Sequence, residues 1–193
     1  NLTGGVSNNR FNIQNWTGRG ALTGGGGSDI VETLKGANYE LANTRLQTDD
    51  GMDLTLAAIV RAELNAGPFN VTYDISGWTG TGRLSAGGSY AAVVVARDAN
   101  FTLTDSLLTI SDGTTFDLSC LTVAEIEGGA GNNIIDASGF SGAAVLSGLN
   151  GNDILFGGSG NDWLSGGGGN DVLVGNGGND TLTVHPFIVV NGD

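Results

Sequence analysis

From Gly148 onward the chain repeats a nine-residue pattern in which one position is always large and apolar. Four consecutive blocks, starting at Gly148, Gly157, Gly166 and Gly175, read GLNGNDILF, GGSGNDWLS, GGGGNDVLV and GNGGNDTLT. Their eighth positions are Leu155, Leu164, Leu173 and Leu182. The same frame fits blocks starting at Gly4, Asn15, Gly24, Ala66, Gly77, Ala86, Gly128 and Gly139. There the eighth position is Phe11, Leu22, Val31, Tyr73, Leu84, Val93, Ile135 and Leu146. One inward apolar side chain per block, between glycine-rich turns, predicts a short strand whose central residue points to a core. So narrow a strand cannot bury its face alone, so successive turns must stack over a shared core. The expectation is an all-β parallel solenoid.

A longer period overlies the short one. The segments FNIQNWTG, YDISGWTG and IDASGFSG begin at Phe11, Tyr73 and Ile135, 62 residues apart, and the register runs without a gap. Between the nonapeptide clusters lie two matching inserts, Thr33 to Asn65 and Val95 to Glu127, which alternate apolar and polar residues as strands do. Asp50-Gly51 and Asp112-Gly113 supply a turn at the same point of each. At about twenty residues per coil, the inserts are expected to continue the solenoid. The predicted organisation is a degenerate 62-residue-repeat region over 1–127, a nonapeptide region over 128–183 and a tail over 184–193. Asn1 already falls inside a repeat, so the chain reads as part of a larger protein.

Composition narrows the function. The chain has 35 Gly but only 2 Pro, and 20 acidic against 7 basic residues, for a net charge of −13. Such acidity disfavours nucleic acid and anionic membrane as partners, both of which select basic surfaces. No apolar run approaches the ~18 residues of a membrane span. Cys120 has no second cysteine to pair with, so stability must come from elsewhere, and metal is one route.

The acidic residues of the four blocks are in register. Asp153, Asp162, Asp171 and Asp180 all stand at position six; of the earlier blocks only Gly24 to Glu32 keeps an aspartate, Asp29. If two blocks make one coil, loops pair across 18 residues, Asp153 with Asp171 and Asp162 with Asp180. Calcium takes six to eight oxygens from carboxylates and main-chain carbonyls in a flexible geometry. Glycine lets the backbone turn those carbonyls inward. The predicted ligand set is therefore the four aspartates with the loop glycines Gly157, Gly158, Gly160, Gly166, Gly167, Gly169, Gly175 and Gly178. Without a cation, stacked carboxylates repel one another and the glycine loops carry a large ordering entropy.

Gly148 to Thr183 resembles the repeats-in-toxin, or haemolysin-type calcium-binding, family of secreted bacterial proteins. The resemblance implies a right-handed parallel β-roll, calcium ions in the loops and export to the cell exterior. The 62-residue units are similar to those of very large bacterial exoproteins. The reading that follows is a calcium-rigidified structural segment of a secreted or cell-surface protein, as in an adhesin, surface layer or extracellular fibre. Its partners would be calcium ions and then another copy, a cell surface or a polysaccharide. An accessory module of a secreted enzyme or toxin is the alternative.

Other candidates carry plainer readings. Asp49, Asp50 and Asp53 form the densest acidic group outside the blocks, and paired carboxylates on a β-helix can hydrolyse or eliminate glycosidic bonds. No basic constellation near them in sequence supports catalysis, and the chain is read as a non-enzyme. Trp16, Trp78 and Phe140 occupy matching loop positions where packing is expected before sugar stacking. Cys120 aligns with Ala58 and is expected inside. His185 is an ordinary tail residue.

Overall fold

The computed structural model describes residues 1–183 and the backbone of Val189–Val190; the remainder of 184–193, His185 included, lies outside the described residues. The described residues are all-β, with no helix, and therefore none long and apolar enough to cross a membrane. They form two compact units, one of Asn1–Ala91 with Gly113–Cys120, the other of Ala92–Asp112 with Leu121–Asp193.

In the first unit, Arg10–Asn12, Ile30–Leu34, Arg61–Asn65, Thr81–Ser85 and Thr115–Ser119 lie side by side, every pair parallel. A second sheet runs from Leu2–Thr3 through Arg19–Thr23 to Asp53–Ala57, again in parallel. In the second unit, residues 92–96 of the strand Ala91–Ala96 make one parallel sheet with Val123–Glu127, Ala143–Ser147, Trp163–Ser165 and Thr181–Thr183. Facing strands Phe101–Thr104, Ile134–Gly139, Ile154–Phe156, Val172–Val174 and Val189–Val190 make the other. Parallel strands in paired sheets of this kind are consistent with a β-roll.

Register follows the apolar frame. Leu155 pairs with Leu173 and Leu164 with Leu182, the predicted 18-residue step. Ile135 with Leu155, and Phe11 with Val31, are 20 apart. Eleven of the twelve frame positions are buried, and only the last, Leu182, is half-exposed. Each such side chain contributes about 1.5–3 kcal/mol through burial, so the column, rather than any one strand, holds the sheets.

The inserts depart from a purely parallel winding. Tyr39–Ala42 and Arg45–Thr48 pair antiparallel around the two-residue turn Asn43-Thr44, and Arg45–Thr48 pairs antiparallel with Asp53–Ala57 around Asp50-Gly51. Phe101–Thr104 and Leu107–Ile110 repeat the first hairpin in the second unit. The Asp-Gly turn is where the sequence puts it, with φ +96° at both Gly51 and Gly113. A two-residue loop, however, reverses the chain and can only join antiparallel neighbours. The parallel step therefore resumes one hairpin later, as in Arg19 with Asp53, rather than after twenty residues.

The aromatic loop residues are packing residues. Trp78 and Phe140 are buried, and Trp16 is half-buried. Each closes the same turn, its N–H donating to the carbonyl three residues back, at Ile13, Ile75 and Ala137. Cys120 corrects an expectation. It is exposed, and like Ala58 it sits in a left-handed turn, at φ +60° and +54°. The residue's small size serves the tight turn and not the core.

Candidate metal centre

All four block aspartates lie in the second unit, in two stacks of loops. Gly148–Asp153 stacks on Gly166–Asp171, with Gly128–Asn133 before them; Gly157–Asp162 stacks on Gly175–Asp180, with Gly139–Ala144 before them. Main-chain bonds tie the loops together, for example Gly168 N–H to the Leu149 carbonyl at 2.7 Å and Gly177 N–H to the Gly158 carbonyl at 3.0 Å.

Two side-chain ladders run through each stack in opposite senses. At position five, asparagine reaches forward: Asn152 Oδ1 accepts the Asn170 N–H, and Asn161 Oδ1 the Asn179 N–H, both at 2.8 Å. At position six, aspartate reaches back. Asp153 Oδ1 accepts from Asn133 N at 2.7 Å and Asp171 Oδ1 from Asp153 N at 2.9 Å. In the other stack Asp162 Oδ1 accepts from Ala144 N at 2.7 Å and Asp180 Oδ1 from Asp162 N at 2.9 Å. The asparagines thus bond loop to loop in addition to shaping each turn.

The backward ladder uses one oxygen of each carboxylate. Asp153, Asp162 and Asp171 are buried, Asp180 half-buried. Asp153 Oδ2 and Asp171 Oδ2 have no hydrogen-bond partner, whereas Asp162 Oδ2 accepts the Gly158 N–H at 2.6 Å. Burial raises the Asp153 carboxyl pKa above its ordinary value, opposed by the Asn133 N–H and reinforced by the charges of Asp171 and Asp98. Burial raises Asp162 likewise, against the N–H groups of Ala144 and Gly158 and with Asp180. A buried, unpaired carboxylate oxygen is costly unless a cation or donor meets it.

The first glycine of each block makes room for that oxygen. A Cβ on Gly157 would stand 2.5 Å from Asp162 Oδ2 and 2.6 Å from the Gly175 carbonyl oxygen. A Cβ on Gly148 would overlap Asp153 Oδ2 and lie 2.6 Å from the Gly166 carbonyl oxygen. Carboxylate and carbonyl oxygens thus converge on one small space per loop. Position two is left-handed in three of the four blocks, at Gly167 with φ +89° and also where it is not glycine, at Leu149 with φ +73° and Asn176 with φ +65°. The donor set is all oxygen and partly main chain, which suits calcium. No group of three or more His, Cys, Asp or Glu side chains suited to a metal occurs among the described residues, so carbonyls must supply much of any shell.

One earlier block shares this arrangement. In the first unit Asp29 is fully buried, its Oδ1 accepting from Asn9 N at 2.8 Å and its Oδ2 unpartnered. A Cβ on Gly24 would overlap both Asp29 Oδ2 and the Ala58 carbonyl oxygen.

The acidic group at Asp49, Asp50 and Asp53 is engaged otherwise. Asp50 bonds Lys35 Nζ at 2.6 Å, Asp53 bonds Arg45 at 2.8 Å, and Asp49 accepts the Asn38 N–H at 3.0 Å. The second unit repeats the first of these as Arg97 with Asp112, also at 2.6 Å. Basic partners distant in sequence were invisible to a linear reading, and they account for Asp50 and Asp112 as structural ions.

Residues 21–39, 125–139 and 147–182 match the family model of the RTX calcium-binding nonapeptide repeat, in four copies. No curated protein matches the chain.

Proposed function

From a chain that carries RTX nonapeptide repeats, which bind calcium ions, we propose a calcium-rigidified structural segment of a secreted or cell-surface bacterial protein. Asp153, Asp162, Asp171 and Asp180 are its carboxylate ligands, with carbonyls of Gly157, Gly158, Gly160, Gly166, Gly167, Gly169, Gly175 and Gly178 filling the shells. Asp29 supplies one further site of the same make in the first unit. The strands wind as a right-handed β-roll in which the nonapeptide region, 128–183, is the calcium-dependent part.

The observation that carries this reading is the pair of buried, unpartnered oxygens, Asp153 Oδ2 and Asp171 Oδ2. Bound calcium supplies the positive charge these oxygens lack. The residues themselves do the rest: the backward ladder fixes each carboxylate, and the first glycine of the block leaves the second oxygen of Asp153 and of Asp171 uncovered. Because the ligands are assembled only when loops stack, binding and folding of this region are coupled. With calcium at ten to a hundred times a site's Kd, each site adds about 1.4–2.7 kcal/mol. Extracellular calcium modules have Kd values of about 10⁻⁴–10⁻³ M. The region is therefore loose at the low calcium of a cell interior and sets outside.

A calcium titration of the chain, followed by circular dichroism and thermal melting, tests the reading. The expected result is a rise in melting temperature with calcium that is reduced in the Asp153→Asn/Asp171→Asn variant. Identical spectra and melting in calcium and in chelator would sink it.

A further inference from the structure

The first stack of loops begins one loop before its first block aspartate. Gly128–Asn133 carries asparagine at position six, yet Asn133 is placed as an aspartate would be. It is 4% exposed, and its N–H bonds Asp153 Oδ1 at 2.7 Å. Its side-chain Oδ1 is buried without a hydrogen-bond partner, and a Cβ on Gly128 would stand 2.8 Å from it. The orphaned oxygen over Gly128 matches that of Asp153 over Gly148, with an amide nitrogen in place of the other carboxylate oxygen.

A carboxylate from the preceding turn of chain stands against this loop. Asp98 Oδ1 accepts the Gly131 N–H at 3.2 Å and the Asn133 Nδ2 at 3.1 Å. It occupies a particular place. In later loops a Cβ on the fourth-position glycine would overlap a main-chain carbonyl oxygen of the loop before, Gly151 with that of Gly131 and Gly169 with that of Gly151. At Gly131 that place is taken by Asp98 Oδ1, 2.6 Å from where a Cβ would be. Asp98 is not required by the 62-residue scaffold, because the corresponding residue of the first copy is Gly36, with Phe69 in place of Gly131. The acid appears only in the copy that leads directly into the aspartate-bearing blocks.

We propose that Asp98 opens an additional calcium site at the start of this stack, with Asn133 Oδ1 and Asp153 Oδ2 as its other side-chain ligands. The inference rests on the calcium reading above. Carboxylate, amide and carbonyl oxygens are all calcium donors, and the number of charged ligands tunes affinity. Splitting the usual single aspartate into a neutral amide and a carboxylate from another loop keeps the charge of the stack while tying a non-repeat turn to it. The Asn133 amide joins the two groups, its Nδ2 donating to Asp98 Oδ1 while its unpartnered Oδ1 faces the space over Gly128.

Equilibrium dialysis of the 193-residue chain against calcium, counting bound ions, tests the proposal. Asp98→Asn keeps an oxygen for the Gly131 N–H but removes the charge, and is expected to bind one ion fewer than the parent. Asn133→Asp is expected to tighten one site several-fold, and to restore the lost ion in the Asp98→Asn background. An Asp98→Asn chain with the parent's ion count and affinity overturns the proposal, as does Asn133→Asp without effect on any site. So does Asp98→Asn melting lower in chelator with its ion count intact, since that is a cap and not a ligand. A parent chain that binds no calcium overturns both this site and the calcium reading, whereas binding indifferent to Asp98 overturns this site alone.

Discussion

Asp171 Oδ1 accepts the main-chain N–H of Asp153, eighteen residues earlier, at 2.9 Å. The carboxylate therefore has two duties: one oxygen registers its loop on the loop before, and the other stays free and buried. Removing the side chain and neutralising it should have different consequences. Asp171→Ala leaves the buried Asp153 N–H without a partner and should cost about 1–3 kcal/mol even in chelator. Asp171→Asn retains an acceptor and should lose little in chelator but forfeit its own site's share of the calcium-dependent gain. Urea unfolding of both variants, with and without calcium, separates the two duties.

Space over the first glycine of a block is as specific as the ligand. Gly148→Ala drives a methyl group into Asp153 Oδ2 and the Gly166 carbonyl, and should weaken calcium binding and cost about 1–3 kcal/mol. Gly5→Ala meets nothing within 4 Å and has no left-handed backbone to strain, so it should melt like the parent. Thermal melts of the two alanine variants check the contrast.

Leu149 holds the left-handed position that Gly129 and Gly167 hold in the neighbouring loops. An L-residue there costs about 1–2 kcal/mol, and the side chain is 40% exposed, so it recovers little by burial. Leu149→Gly should stabilise the chain by about 1 kcal/mol in chelator, partly offset by unfolded-state entropy. A lower melting temperature would show that Leu149 packs more than its exposure implies.

Trp78 belongs to the scaffold and not to the metal loops. Trp78→Ala should cost about 3–5 kcal/mol, equally in calcium and in chelator, and the half-buried Trp16 should cost less. A calcium-dependent difference for Trp78→Ala would overturn the separation of scaffold from site.

Acid should oppose calcium. Burial raises the pKa of Asp153 and of Asp162 above the ordinary 3.8. In the calcium-free chain the folded state thus holds protons that the unfolded state has released. Their contribution to stability is favourable at low pH and is lost as pH rises above 3.8 through the folded values. Calcium must displace those protons, so affinity falls and proton release on binding grows as pH drops into that window. Asp53 and Glu63 act in the opposite sense. The Arg45 bond lowers Asp53 and the Arg10 bond lowers Glu63, so their stabilisation is complete above 3.8 and 4.5 and is lost as pH falls through the folded values. Calcium titrations at pH 5 and 7.5 in unbuffered and buffered calorimetry read the proton release directly.

Much of the candidate site was legible in linear form. Asp153, Asp162, Asp171 and Asp180 declare themselves because nine-residue spacing repeats the same chemistry at the same point of each turn. Asp98 did not, because it stands outside the frame and reaches Asn133 across 35 residues. Asn133 carries no charge to mark it in the sequence, and only the structure places its oxygen over Gly128 as the Asp153 oxygen lies over Gly148. The pairings of Lys35 with Asp50 and Arg97 with Asp112 have no linear signature for the same reason, each spanning fifteen residues of chain. The hairpins at Asn43-Thr44 and Asp105-Ser106 lack the Asn-Gly or Asp-Gly signature that marks a tight reversal, so their strands read correctly and their direction did not.

The sequence by itself determined the spacing of the apolar column, the strands around it and the identity of the charged side chains. These are local properties, set by which face a residue presents within one short strand. Tertiary structure alone decided strand direction in the inserts, which carboxylate oxygen is consumed by a neighbouring loop, and which is left buried and bare. Those depend on partners eighteen or more residues away, and such partners meet only once the loops have stacked in register.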